Sequence, residues 1–126
     1  MTIKVLVADD HEVVRSGLKS LFVGTEIKVV AEASNGQEAM RLVSEQEFSV
    51  VLLDVRMPDS DGLNVLGRLK LDKPDLPVLI LSTYDNPTYV ARAVALGAAG
   101  YLLKGIERDQ LIESVRRAAA GESVWT

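Results

Sequence analysis

The sequence has no cysteine and a single histidine, His11, among 126 residues. Disulfides and thiolate metal centres are thereby excluded, and a reducing compartment suits the chain. Apolar runs of the roughly 18 residues needed to span a bilayer are also missing. The N-terminal "MTIKVL" enters a strand-like run directly, without the basic region, apolar stretch and small-residue cleavage site of an export signal. A cytoplasmic, non-membrane protein is expected. Nor is there an excess of positive charge: the net charge is -4, so this segment lacks the electrostatic footprint of a nucleic-acid reader.

What is present is a core-forming chain, 48% hydrophobic and 25% charged, of a length that fits one domain spanning residues 1–126. Short runs rich in Val, Ile and Leu occur at Ile3–Ala8, Ile27–Ala33, Val50–Leu53, Val78–Leu81 and Gly100–Leu103. They are mostly unalternated, as strands buried on both faces are. Between them, apolar residues fall at helical spacing: Val14, Leu18, Leu21 and Phe22; Ala39, Met40 and Val43; Leu63, Leu66 and Leu69; Val90 and Val94; Leu111, Ile112, Val115 and Ala119. Asn86–Pro87 reads as a helix N-cap followed by its first residue, and Gly97 as the end of that helix. Strand and helix thus alternate five times. This predicts a doubly wound α/β fold, a five-stranded parallel sheet with helices on both faces.

In a parallel sheet the C-terminal ends of all strands lie on one edge, where α/β folds bind ligands. The first run ends in Asp9–Asp10, the third in Asp54, the fourth in Ser82–Thr83 and the fifth in Lys104. The common strand order 2-1-3-4-5 sets the first and third strands side by side, so that three carboxylates converge. Two unit charges 4 Å apart interact by roughly 4 kcal/mol at an effective dielectric near 20, and such a cluster calls for a cation. Hard oxygen ligands without His or Cys suit Mg²⁺, which keeps open positions for water and phosphate oxygens. Asp54, expected to sit deepest at the end of "SVVLLD", is the candidate nucleophile, since a carboxylate can accept a phosphoryl group. Lys104 would neutralise phosphoryl charge and the Ser82 hydroxyl would donate a hydrogen bond to it. Arg56 and Tyr84, each two residues beyond a site residue, would overhang the phosphoryl group and hinder water.

Taken singly, these residues have plainer readings. Asp10 alone reads as a helix N-cap and Lys104 alone as a solvated lysine. Asp59 and Asp61 read as turn residues leading into a helix, His11 as exposed rather than catalytic, and Tyr101 as a partly buried strand residue.

The segments "VADD", "LLDVRMPDSDGL", "LST" and "GYLLK", in this order and spacing, together resemble the receiver domain of two-component response regulators along essentially the whole chain. "DDHEVVRSGL", "VVAEASNGQEA" and "ALGAAGYLLK" are similar to the NarL/FixJ subfamily. The resemblance implies a flavodoxin-like (CheY-like) fold with Asp54 as phosphoacceptor and Asp9 and Asp10 as the acidic metal pair. It further implies the Arg56 carbonyl as an additional ligand to Mg²⁺ (or Mn²⁺), Ser82 as switch hydroxyl, Lys104 as phosphate-contacting lysine and Tyr101 as switch aromatic. A histidine kinase would be the phosphodonor, phosphorylation would promote a homodimer through the first and fifth helices, and a LuxR-type helix-turn-helix domain beyond this segment would bind DNA. Such a protein is a switch, not a multi-turnover enzyme on an outside substrate. One position departs from the pattern: Gly105 follows the lysine, where many receivers have Pro and this subfamily often Asp.

Two other functions use related parts. A haloacid-dehalogenase-type phosphatase combines Asp, Mg²⁺, Ser/Thr and Lys, but its second Asp follows the nucleophile two residues later, whereas Asp9 and Asp10 are adjacent. A flavodoxin-like FMN carrier needs a Ser/Thr-rich phosphate loop after the first strand, where this chain has the acidic "ADDHE".

Overall fold

The computed structural model describes residues 1–57, 60–83 and 86–125, and of Ser60 the backbone only. The elements run β1 (Ile3–Ala8), α1 (Glu12–Leu21), β2 (Ile27–Ala33), α2 (Gly36–Glu45), β3 (Val50–Asp54), β4 (Arg56–Met57), β5 (Ser60–Asp61), α3 (Gly62–Asp72), β6 (Val78–Ser82), α4 (Pro87–Ala95), β7 (Gly100–Leu103) and α5 (Arg108–Ala119). Five strands form one sheet in the order β2-β1-β3-β6-β7, all pairs parallel. Counting main-sheet strands alone, this is the expected 2-1-3-4-5. The two-residue strands β4 and β5 form a separate antiparallel pair in the segment read as a turn.

Alternation along the strands sorts their side chains into two cores. Leu6, Val51, Leu53, Val78 and Ile80 meet α2, α3 and α4, while Val5, Val7, Leu52, Leu79 and Leu81 meet α1 and α5. The central strands β1, β3 and β6 are covered on both faces, which is why their sequences do not alternate. The helical patterns locate the covered faces with one exception: Val94 is exposed and Ala93, one residue earlier, is buried against the sheet. The alanine takes the inward position.

Helix ends follow local chemistry. Asn86 caps α4 through a side-chain bond from Thr88 N, Pro87 takes the first turn, and Gly97 (φ 90°) ends the helix. Asp61 caps α3 by accepting from Leu63 N at 2.9 Å, so the residue read as part of a turn has a defined cap role; Asp59 lies outside the described residues. At the bottom of β7 the C-terminal segment folds back, with Val124 N donating to Ala99 O at 2.7 Å. Trp125 packs partly buried against the core shared with α2, α3 and α4.

One close approach fixes how α3 meets the sheet. Gly62 N donates to Val55 O at 2.7 Å, and a Cβ on Gly62 would lie 2.3 Å from Asp54 O and 2.6 Å from Val55 O. Both obstacles are backbone atoms, which cannot swing aside. Gly62→Ala is therefore expected to lower unfolding free energy by about 3 kcal/mol. Gly17→Ala, on the exposed side of α1 with nothing within 4 Å of the new Cβ, is expected to be neutral or to raise it by up to about 1 kcal/mol. Urea denaturation of the two variants checks the contrast, and equal stabilities would refute it.

Candidate functional site

The first and third strands end side by side because Ala8 of β1 is in register with Leu53 of β3. Asp9 and Asp54 are the next residues on each. Asp54 and Ser82 belong to their strands, one residue further than the apolar runs alone suggest. Across the sheet, Ser82 pairs with Leu103 and Lys104 N donates to Ser82 O at 2.6 Å, which delivers the lysine to the same edge.

There the Lys104 ammonium bridges two carboxylates, 2.8 Å from Asp9 Oδ2 and 3.3 Å from Asp54 Oδ2. Its side chain is only 17% exposed, so it is not the solvated lysine that its type suggests. Asp9 is 2% exposed and Asp54 6%, which makes Asp9 the deeper of the two, contrary to expectation; Asp9 is enclosed at the turn between β1 and α1. Asp9 Oδ1 accepts from His11 N at 2.8 Å, and Asp9 N donates to Ala33 O at 2.9 Å. Asp54 Oδ1 accepts from Arg56 N at 3.2 Å.

Burial pushes the Asp54 carboxyl above the ordinary carboxylate range, the Lys104 charge pulls it down, and the Asp9 charge adds to the rise. For Lys104, burial acts to lower the pKa, but hydrogen bonding to Asp9 and the charges of Asp54 and Asp9 outweigh it, and the result lies above the ordinary lysine value. Two buried carboxylates and one cation leave a negative site, as the sequence implied.

Asp10 differs from both. Its side chain is 26% exposed, and its Oδ1 atom is buried without a hydrogen-bond partner. His11 Nδ1 stands 3.0 Å from that atom but is not aligned to bond it. The N-cap of α1 is His11, without a side-chain cap bond, so Asp10 does not do the capping that its position allowed. Asp9, Asp10, His11 and Asp54 each offer a ligand atom, all within 4.8 Å of one another. The donor set is predominantly hard carboxylate oxygen, and one buried oxygen lacks a partner. These residues fit a divalent cation such as Mg²⁺.

The remaining expected residues are placed as follows. Ser82 is fully buried and Tyr101 is partly buried in β7. Arg56 is exposed beside Asp54; Tyr84 lies outside the described residues. Gly105 adopts φ 94°, a left-handed conformation that accounts for glycine after Lys104.

Sequence reasoning missed three contributors. His11 is 66% exposed, as expected, yet its ring lies against both Asp9 and Asp10. Arg15 donates through Nη1 to the Asp9 carbonyl at 2.6 Å and through Nε to Glu32 Oε1 at 3.0 Å. Glu32, on β2, also pairs with Lys19, and its carboxyl is held below the ordinary range by the Lys19 hydrogen bond, against the opposing effect of burial and with help from Arg15. The helical spacing of Arg15 and Lys19 was the available signal; their shared acidic partner on another element was not.

Comparison with known proteins agrees with this geometry. The response regulator receiver domain family matches residues 5–116. The transcriptional regulatory protein YdfI of Bacillus subtilis is 40% identical over 119 residues, 94% of this chain and 55% of that protein. The response regulator protein VraR of Staphylococcus aureus is 38% identical over 126 residues, 99% of this chain and 60% of that protein. The chain thus spans little more than half the length of these relatives. Among solved structures, the signal receiver domain of a NarL response regulator from Mycobacterium tuberculosis is 35% identical, with a TM-score of 0.89 over 96% of this chain and 98% of that one. A LuxR-family two-component response regulator from Aurantimonas sp. SI85-9A1 is 26% identical, with a TM-score of 0.92 over 100% of this chain and 90% of that one. A chain with this sheet order, this carboxylate–lysine edge and these relatives belongs to the response regulator receiver domain family, with relatives of the NarL/FixJ kind.

Proposed function

We propose that Asp54 accepts a phosphoryl group from the phosphohistidine of a histidine kinase and that the resulting acyl phosphate switches a transcriptional output. The observation that carries this reading is the Lys104 ammonium between Asp9 and Asp54, next to an Asp10 oxygen that lacks a partner. A Asp54 carboxylate oxygen attacks phosphorus, the P–N bond to the donor imidazole breaks, and its electron pair returns to that nitrogen. Lys104 stabilises negative charge on the transferring group, and Ser82 donates to a phosphoryl oxygen. Mg²⁺, or Mn²⁺ in its place, held by Asp9, Asp10, Asp54 and the Arg56 carbonyl, supplies charge neutralisation when bound.

A phosphatase acting on outside esters is disfavoured, because such an enzyme carries its nucleophile on the first strand with a second Asp two residues later, whereas Asp9 and Asp10 are adjacent. The chain is read as a switch in the cytoplasm, where its kinase presents the phosphoryl group. Arg56 and Tyr84 shield the acyl phosphate from water and set its lifetime. Ser82 moves toward the phosphoryl group and Tyr101 takes up the vacated space, changing the surface of α4, β7 and α5. Such a shift requires a few kcal/mol of differential interaction with the phosphoryl group. A helix-turn-helix domain following this segment would bind DNA, and the modified receiver would dimerise through α1 and α5.

Incubation with acetyl phosphate and Mg²⁺ is expected to add one phosphoryl mass to the wild type and none to Asp54→Asn, with labelling lost when Mg²⁺ is chelated. Intact mass spectrometry checks this, and unchanged labelling of Asp54→Asn would sink the assignment. In the same assay, Arg56→Ala combined with Tyr84→Ala should shorten the lifetime of the label.

Saturation with beryllofluoride and Mg²⁺ is expected to move amide NMR signals at Tyr101 and Arg92 as well as in the pocket. Shifts confined to the residues around Asp54 would rule out the proposed coupling.

Residues 1–126 alone are expected to show no binding to duplex DNA even at low salt, where phosphate contacts are least screened, while a chain carrying the output domain binds. Gel-shift measurements on the two decide it: specific binding by the isolated segment would overturn the division of labour.

A further inference from the structure

Arg15, in the first turn of α1, touches none of the site's carboxylates and yet holds the peptide that joins two of them. Its Nη1 donates to the carbonyl of Asp9 at 2.6 Å, the carbonyl of the Asp9–Asp10 bond. Its Nε donates to Glu32 Oε1 at 3.0 Å, and Lys19, one turn further along α1, pairs with the other oxygen of Glu32. The Arg15 side chain is only 15% exposed. Glu32 itself is set by the sheet, in register with Val7 two residues before Asp9. A guanidinium is a rigid planar fork, so anchoring one N–H on Glu32 sets the direction of the other.

The Asp9–Asp10 peptide has need of such a hold. Asp9 is fixed on both sides, by Ala33 O and by its own bond to His11 N. Asp10 has no equivalent: its Oδ1 makes no hydrogen bond, and α1 begins without a side-chain cap. Where the Asp10 carboxylate points therefore depends on the orientation of the peptide before it, and Arg15 is the side chain that fixes that peptide. We infer that Glu32 and Arg15 form a positioning relay that holds the Asp9–Asp10 peptide, and with it the Asp10 carboxylate, in the orientation required to bind a divalent cation. This rests on the metal-assisted reading above.

Charge and position make opposite forecasts, which makes the inference testable. If Arg15 acted only as a nearby cation, removing it would tighten binding of Mg²⁺. If it acts by positioning, removing it weakens binding, on the scale of about tenfold that outer partners of metal ligands typically show. The experiment measures Mg²⁺ affinity by calorimetry, and Mn²⁺ affinity by paramagnetic resonance, on the 126-residue chain with no phosphodonor present. Arg15→Ala is expected to bind about tenfold more weakly. Arg15→Lys keeps the charge but not the fork and should recover only part of the loss. Glu32→Ala should weaken binding, and the double variant Arg15→Ala with Glu32→Ala should be no weaker than Arg15→Ala alone, because both break one relay. Arg116→Ala, which removes an exposed pair between α5 and Glu26, should leave affinity unchanged. Wild-type or tighter binding by Arg15→Ala overturns the relay while leaving the metal reading intact. Absence of Mg²⁺ binding in the wild type at millimolar concentrations overturns the metal reading and the relay with it. Should Arg15→Ala fail to fold by circular dichroism, wild-type affinity in Arg15→Lys overturns the relay in its place.

Discussion

The buried cation of Lys104 is the constraint on which the arrangement depends. Strands β1 and β3 lie between layers of Val, Ile and Leu, and each leads into a carboxylate that is almost wholly removed from water. Two such charges side by side would strain the edge of the sheet. The ammonium at 2.8 Å and 3.3 Å from them makes the pair tolerable. The compensation is partial by charge count, and the surplus negative charge is what the proposed divalent cation would offset.

Register does the rest. Ala8 opposite Leu53, Asp54 opposite Leu81 and Ser82 opposite Leu103 align the ends of four strands to within one residue. A slip by one residue in any of these ladders would exchange side chains between the two cores and take a polar terminus away from the cluster. The two apolar cores therefore position the polar strand ends as surely as the hydrogen bonds do. Gly62 adds a local condition: α3 begins so close to the carbonyls of Asp54 and Val55 that the backbone of Asp54 and the start of the helix cannot move independently.

Much of this was legible because strand ends are legible. The unalternated runs marked the buried strands, and the polar residue ending each run marked the edge, so Asp9, Asp10, Asp54, Ser82 and Lys104 could be grouped before any coordinates. Strand order came from the habit of the fold class and not from periodicity. What stayed hidden depends on distance through space. Glu32 on β2 and Arg15 on α1 are separated by 17 positions, and neither has a local pattern that names its partner. The steric need for Gly62 arises from a backbone approach that no spacing rule encodes, and the inward turn of Ala93 in place of Val94 puts the smaller residue where hydrophobicity alone favours the larger. The relative depth of Asp9 and Asp54 depends on loop enclosure, to which a strand-end argument is blind.

The folded-back C-terminal segment has a practical corollary. Gly100 leaves room for it, since a Cβ there would come within 3.1 Å of Val124, and the segment includes the chain's one tryptophan, Trp125, half-sheltered against the core. It sits by the N-terminal end of β7, at the opposite rim of the sheet from the carboxylates. The chain's one indole, distinct in emission from its three tyrosines, thus lies at the rim opposite the carboxylates. Its emission colour would register whether the segment is seated against the core or peeled away.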